Sequence, residues 1–191
     1  MSEEDVLAMR RLHEGDDLAL NGIMDRWQRR VTSFLLRLTG NESVAIDLAQ
    51  ETFVRVYQSR DRYQPRGEFS TWLFAIAANL GRQHLRWRQR HPAISLDGAT
   101  ADECPLAERV PDPRADPSAV AEAKERSRLV REAVHGLPAD LREAVILAEY
   151  EKLPQAEIAA ICGCTAKAVE TRLYRARAIL RDRLENVLGC G

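Results

Sequence analysis

The sequence predicts an all-α chain of two small helical domains, the second a helix-turn-helix, joined by a flexible acidic linker. Three observations lead there. Apolar residues recur at helical spacing between recognisable caps and stops, and no strand-like alternation or internal repeat occurs anywhere. A stretch over residues 92–117 holds five of the eight prolines and few large apolar residues. Aromatics make up only 6% of 191 residues while hydrophobic residues reach 45%, a composition suited to small aliphatic helical cores. The domain boundaries fall at 1–92, 93–117 and 118–191.

Val6, Leu7, Met9 and Leu12 predict a short first helix that ends near Gly15. Asp16 suits the N-cap of the next, whose apolar face runs through Leu18, Leu20, Ile23, Met24, Trp27, Val31, Phe34, Leu35 and Leu38 to a glycine stop at Gly40. Asn41 caps a third helix with Val44, Ile46, Ala49, Phe53, Val56 and Tyr57 on its apolar side. Its polar side carries Asp47, Gln50, Glu51 and Arg55. The polar run from Arg60 to Gly67, with Pro65, reads as a loop. Ser70 is placed to cap a fourth helix, apolar at Trp72, Leu73, Ile76, Ala77 and Leu80, which continues into a basic run and stops before Pro92.

After the linker, Asp116-Pro117 is a helix start, a cap followed by proline at the first helical position. Leu129, Val130, Ala133 and Val134 give that helix a core face, and Gly136 ends it. Pro138 opens the next, with Leu141, Val145, Ile146 and Leu147 inward. Pro154 opens the stretch QAEIAAICGCTAKAVETRLYRARAILRDR. There Ala159, Gly163 and Val169 stand where a helix-turn-helix needs a small residue, a turn glycine and a branched apolar pin. Ile158, Ile161 and Cys162 face inward from its first helix. Val169, Leu173, Ala176 and Leu180 make the buried stripe of the second. Lys167, Glu170, Thr171, Tyr174 and Arg175 point away from that stripe, toward base edges if the helix lies in a major groove. Arg172, Arg177, Arg181 and Arg183 are on the flanks or further along, where phosphate contact is the better reading. The plain alternative is an amphipathic helix with a solvated basic face.

Charge is distributed rather than global. The formal net charge is −1, yet residues 1–92 hold 14 arginines against 12 acids and residues 93–118 hold 2 arginines against 6 acids. The basic excess of the first part gathers at Arg82, Arg86, Arg88 and Arg90, interleaved with Trp87 and free of acids. Guanidinium groups bind phosphate and rings stack on bases, so this run suits single-stranded nucleic acid. For Trp72 a place in the core is the competing reading.

Several classes fall away. The acidic N-terminus lacks a basic segment followed by an apolar one, and no apolar run approaches a membrane span, which gives the expectation of a cytoplasmic protein. No paired catalytic carboxylates, nucleophile elbow, phosphate-binding glycine loop or metal set is present, so no enzyme, cofactor or metal is expected. Of the four cysteines, Cys162 and Cys164 flank the turn glycine and read as small core fillers in a reduced compartment.

DLAQETFVRVY, FSTWLFAIAANLGRQHLRWRQR, LPADLREAVIL and EIAAICGCTAKAVETRLYRAR, in this order around a linker, resemble the bacterial sigma factors of the small two-domain, extracytoplasmic-function type. The resemblance covers nearly the whole chain. It implies a first domain that binds core RNA polymerase through Asp47, Gln50, Glu51, Phe53 and Arg55. It implies that Trp72, Asn79, Arg82, Arg86 and Arg88 open and read the −10 element. It implies that the second domain reads the −35 element with Lys167, Glu170, Thr171, Arg172, Tyr174 and Arg175. The implied partners are core RNA polymerase, through its beta and beta-prime subunits, promoter DNA and an anti-sigma factor, with no small-molecule substrate. The acidic linker would thread a channel built for RNA. Gln83, Lys167-Ala168 and Glu170 depart from residues common in the family, which leaves the promoter sequence unspecified. Two rivals remain from the residues alone: a self-sufficient DNA-binding regulator with a sensing or dimerisation domain, and an RNA-binding protein.

Overall fold

Why the first domain closes into a bundle is visible in its caps and rings. The computed structural model describes residues 3–64, 67–91 and 117–188. The first four helices are α1 (Glu3–His13), α2 (Ala19–Thr39), α3 (Glu42–Gln58) and α4 (Phe69–Arg90), with a 3-10 turn at Arg60–Arg62. Asp16 does not cap α2 itself, which begins three residues beyond, but its Oδ1 accepts from Leu18 N at 3.2 Å and so caps the turn leading in. Asn41 does cap α3, its Oδ1 accepting from Val44 N at 3.0 Å. Ser70 lies inside α4, whose N-cap position is held by Glu68 without a side-chain capping hydrogen bond. Phe34, Phe74 and Trp27 meet at the centre, Phe34–Phe74 edge-on at 5.3 Å and Trp27–Phe74 at 6.2 Å. Asp5 of α1 is 1% exposed, and it is stabilised there by Arg26 at 2.8 Å and the Trp27 indole N–H at 3.1 Å.

The apolar stripes are narrower than the sequence suggests. Leu7 and Leu18 are 55% and 74% exposed, and Ile46 on α3 is 41% exposed. On α3 the buried set is Ala45, Ala49, Thr52, Phe53 and Val56. A single helix face has room for about that many residues, so Val44 and Ile46 are displaced toward solvent.

The second domain is α5 (Pro117–His135), α6 (Ala139–Val145), which passes into a π-helical turn at Ile146–Tyr150, α7 (Gln155–Cys162) and α8 (Ala166–Leu188). Both glycines that end helices ahead of sharp turns have left-handed backbone, Gly40 at φ +73° and Gly163 at φ +64°. The expected linker of residues 93–116, the Asp116 cap, Cys104 and Cys190 lie outside the described residues.

The two domains pack together. α4 lies along α7, α2 touches α5 and α6, and one hydrophobic cluster runs through both halves. Gly40 sits at that seam, where an added Cβ would fall 2.0 Å from His135 Nε2. Gly40→Ala should therefore destabilise the chain by about 1–2 kcal/mol from the left-handed backbone alone, with the His135 ring displaced in addition. A lowered midpoint in thermal unfolding followed by circular dichroism, together with a shifted His135 NMR resonance, is the expected result.

Candidate nucleic-acid and polymerase interfaces

The helix-turn-helix forms because α7 is short and closes on Gly163. Ile158, Ile161, Val169, Leu173 and Ala176 are all buried between α7 and α8, and Ala159 at 8% exposure lets the helices approach. Thr165 caps the start of α8, its Oγ1 accepting from Ala168 N at 3.2 Å. Lys167, Glu170, Thr171, Tyr174 and Arg175 are exposed along one face of α8, and Tyr174 is 76% exposed. Lys167 Nζ pairs with Glu170 at 2.9 Å, which holds a donor and an acceptor side by side on that face. Arg172 does not join it. Its guanidinium turns inward to Asp140 at 3.6 Å and Cys164 Sγ at 3.8 Å.

Cys162 and Cys164 are free, half-buried thiols of the turn. Burial, with the Glu143 carboxylate beside it, pushes the Cys162 thiol up to about 12, so it stays protonated and hydrogen-bonds that carboxylate. No group of three or more His, Cys, Asp or Glu side chains fit to hold a metal occurs among the described residues.

On α3, Asp47 and Gln50 are exposed, while Glu51 and Arg55 are half-buried and paired at 2.8 Å. Phe53 is 3% exposed, in the core, so its ring is not available to another protein. Sequence reasoning placed it both on the apolar face and at the polymerase surface, and the spacing Ala45, Ala49, Phe53 already favoured the first. The exposed apolar groups on this surface are Ile46 and Val54, at 41% and 47%. Neither was singled out for it.

Along α4, Asn79, Gln83, Arg86 and Arg90 recur at i, i+4, i+7 and i+11, and all four are exposed. They form one polar and basic track. Trp72 lies on the same side, half-buried, its ring 4.8 Å from Tyr63 and 5.7 Å from Phe69. It is both a core residue and part of a cleft of about 620 Å³ lined by Glu51, Arg55, Trp72, Ile76, Asn79, Arg82 and Ile161. Arg88 is exposed on another face, where its charge helps burial lower the His84 and His135 imidazoles. Trp87 is 44% exposed and stacks on His91 at 5.0 Å.

Arg82 is the departure. The sequence near it holds no acid, yet its guanidinium is neutralised across the domain seam by Glu143, which is 4% exposed at the side chain. Burial raises the Glu143 carboxyl above its ordinary range against the pull of Arg82. A second pair, Arg30 with Glu151 at 3.0 Å, spans the same seam. Sequence reasoning missed both, because each partner lies more than sixty residues from the other.

The family model for Sigma-70 region 2 matches residues 23–91, and that for Sigma-70, region 4 matches residues 127–180. The ECF RNA polymerase sigma-E factor of Escherichia coli K12 is 30% identical over 191 residues, covering 98% of this chain and 99% of that protein. The sigma-E factor of Haemophilus influenzae is 28% identical over 96% of this chain and 97% of its own. Among solved structures, CnrH in complex with the cytosolic domain of CnrY aligns with a TM-score of 0.69 at 24% identity, over 96% of this chain and 99% of CnrH. The sigma factor RpoE of Bartonella quintana, solved with the anti-sigma factor NepR, aligns at 0.66 and 24% identity over 88% of this chain and 98% of its own. Those two likenesses concern the fold, whereas the identity to the sigma-E factors runs nearly end to end through both matched regions. This chain belongs to the ECF RNA polymerase sigma factors.

Proposed function

We propose that the chain binds core RNA polymerase and directs it to promoters, reading the −35 element with α8 and opening the −10 element along α4. The reading rests above all on α8, whose outward residues are exposed while Val169, Leu173 and Ala176 are buried against the rest of the domain. Asp47, Gln50 and Glu51 on α3 supply a polar docking face for polymerase, held rigid by Phe53 from beneath. Asn79, Arg86 and Arg90 follow the displaced strand. Arg172 orients α8 through Asp140 rather than touching DNA. The work is done by binding, without catalytic chemistry of the chain's own. It takes place in the cytoplasm, in keeping with a structure in which no helix among the described residues is long and apolar enough to cross a membrane. Control by an anti-sigma protein is proposed by analogy with the Bartonella relative.

Sequencing the transcripts made from genomic DNA by core polymerase with and without the protein tests this. New, shared start sites are expected only with it. The rival regulator predicts instead tight, specific binding to duplex DNA by the protein alone. The near-neutral chain neutralises few phosphates, so a gel shift should need core enzyme.

Base reading and phosphate binding separate cleanly on α8. Glu170 accepts from cytosine N4, with Lys167 beside it as a donor. Glu170→Ala should change −35 preference at one position by about 1–3 kcal/mol, whereas Arg181→Ala should weaken all sequences alike and flatten the salt dependence. Binding profiles over a randomised −35 library check both. Identical profiles for Glu170→Ala and wild type would count against this orientation of α8.

A further inference from the structure

The turn of the helix-turn-helix holds two thiols that DNA reading does not use. Cys162 closes α7, and Cys164 stands just before Thr165, the cap of α8, with only Gly163 between them. Residues two apart span at most about 7 Å at Cα. The left-handed backbone of Gly163, at φ +64°, folds the chain back and shortens that span into the range of about 4.4–6.8 Å that disulfides bridge. The Cys162 thiol donates to the Glu143 carboxylate, which also bonds Arg82. The Arg172 guanidinium donates to Cys164 Sγ at 3.8 Å and pairs with Asp140 at 3.6 Å. Each sulfur therefore has an ionic neighbour, a base beside Cys162 and a cation beside Cys164. Both thiols are half-buried rather than sealed in the core. Gly163 between them is exposed, and an added Cβ there would meet nothing within 4 Å, so the turn opens to solvent.

We infer that Cys162 and Cys164 are a redox modification site, which a hydroperoxide oxidises to a disulfide across Gly163, shifting the start of α8 and weakening −35 reading. Cys164 is the attacking sulfur. With the Arg172 guanidinium beside it, it bonds the outer peroxide oxygen, the O–O bond breaks, and its proton leaves with the alkoxide as an alcohol. Cys164 is then a sulfenic acid. Cys162 is the resolving sulfur. Burial first, and the Glu143 carboxylate second, keep its proton in place until that step. Glu143 takes the proton as Cys162 attacks the Cys164 sulfur, the S–O bond breaks, and hydroxide leaves with that proton as water. Two thiols and a hydroperoxide thus become a disulfide, an alcohol and a water. Bringing the sulfurs to about 2 Å takes Cys162 away from Glu143 and Cys164 away from Arg172. Arg172 is left with Asp140, and the residue ahead of the Thr165 cap is drawn toward α7. Val169, Leu173 and Ala176 stay buried, so the domain remains folded while its reading face turns.

The effect on promoters rests on the sigma-factor reading, whereas the chemistry of the pair does not. The test uses the full-length chain carrying Cys104→Ser and Cys190→Ser, so that only the two turn thiols remain. Hydrogen peroxide should remove two hydrogens by intact-mass spectrometry, with the bond mapped to one peptide that holds Cys162 and Cys164, and dithiothreitol should reverse it. Bound to core polymerase, the oxidised chain should hold a −35 duplex at least about fivefold more weakly than the reduced chain, with helix content unchanged by circular dichroism. Adding Cys162→Ser should halt the reaction at the sulfenic acid, trapped on Cys164 by dimedone. Adding Cys164→Ser should leave −35 binding the same before and after peroxide. Failure to form the disulfide, no dimedone adduct on Cys164, or equal −35 affinity in the two redox states would each overturn the inference. Absence of promoter-specific transcripts from the reduced chain with core polymerase would instead overturn the sigma-factor reading and leave the disulfide chemistry standing.

Discussion

Phe53→Ala is expected to unfold the first domain rather than to erase a contact with polymerase. The ring is 3% exposed on a helix whose buried neighbours are Ala45, Ala49, Thr52 and Val56, all small. It is the one large side chain of α3 that is fully buried, since Leu48 and Tyr57 pack against the core only in part. Truncating a buried phenylalanine costs about 3–5 kcal/mol, part of it transfer free energy and part the cavity left behind. In a chain of this size that lowers the unfolding midpoint by roughly 10 °C or more. Polymerase binding measured well below that midpoint should fall only as far as the folded fraction falls. Asp47→Ala is the contrast. Asp47 is exposed, so its removal should leave stability within about 0.5 kcal/mol of wild type while weakening core binding. Thermal melts paired with core-binding titrations separate the two. A Phe53→Ala protein that melts like wild type but fails to bind core would return Phe53 to the interface.

The same residue shows what the sequence could and could not disclose. Helix number, order and class were legible, because caps at Asn41 and stops at Gly40 and Gly163 act over three or four residues, within reach of local pattern. The outward face of α8 was legible for the same reason: Val169, Leu173 and Ala176 fix its rotation, and everything opposite them follows. Arg172 sits beside that stripe rather than opposite it, and its inward turn depends on Asp140, thirty-two residues earlier. The domain seam was out of reach. Arg30 and Arg82 look like solvated arginines in their own helices, and only the fold brings Glu151 and Glu143 to them. Ser70 reads as a cap because serine is a common capping residue near a helix start, whereas α4 already begins at Phe69, whose ring is 1% exposed.

Asn79→Ala is expected to stop promoter opening while sparing everything upstream of it. No nucleotide-hydrolysis motif is present, so strand separation has to be driven by binding energy. Unstacking a base costs a few kcal/mol, and an aromatic platform or a closed pocket returns roughly 1–3 kcal/mol for each base it captures. The cleft beside Asn79, about 620 Å³, falls inside the range of small-ligand sites, about 300–1,000 Å³. Trp72 offers one wall for stacking, and the Asn79 amide offers a donor and an acceptor in one plane for a flipped base edge. Arg86 and Arg90, one and two turns beyond Gln83 on the same face, hold the backbone that leads away. Because Asn79 is exposed and on the surface of a long helix, alanine there should not disturb the fold, and alanine favours the helix. Trp72→Ala is the weaker probe, since that ring also packs on Tyr63 and Phe69. With Asn79→Ala, core binding and the footprint over −35 should persist, while permanganate-reactive thymines near −10 fall by about tenfold, the loss of one such captured base. A fully reactive bubble in that variant would remove Asn79 from the opening step and leave the role of α8 untouched.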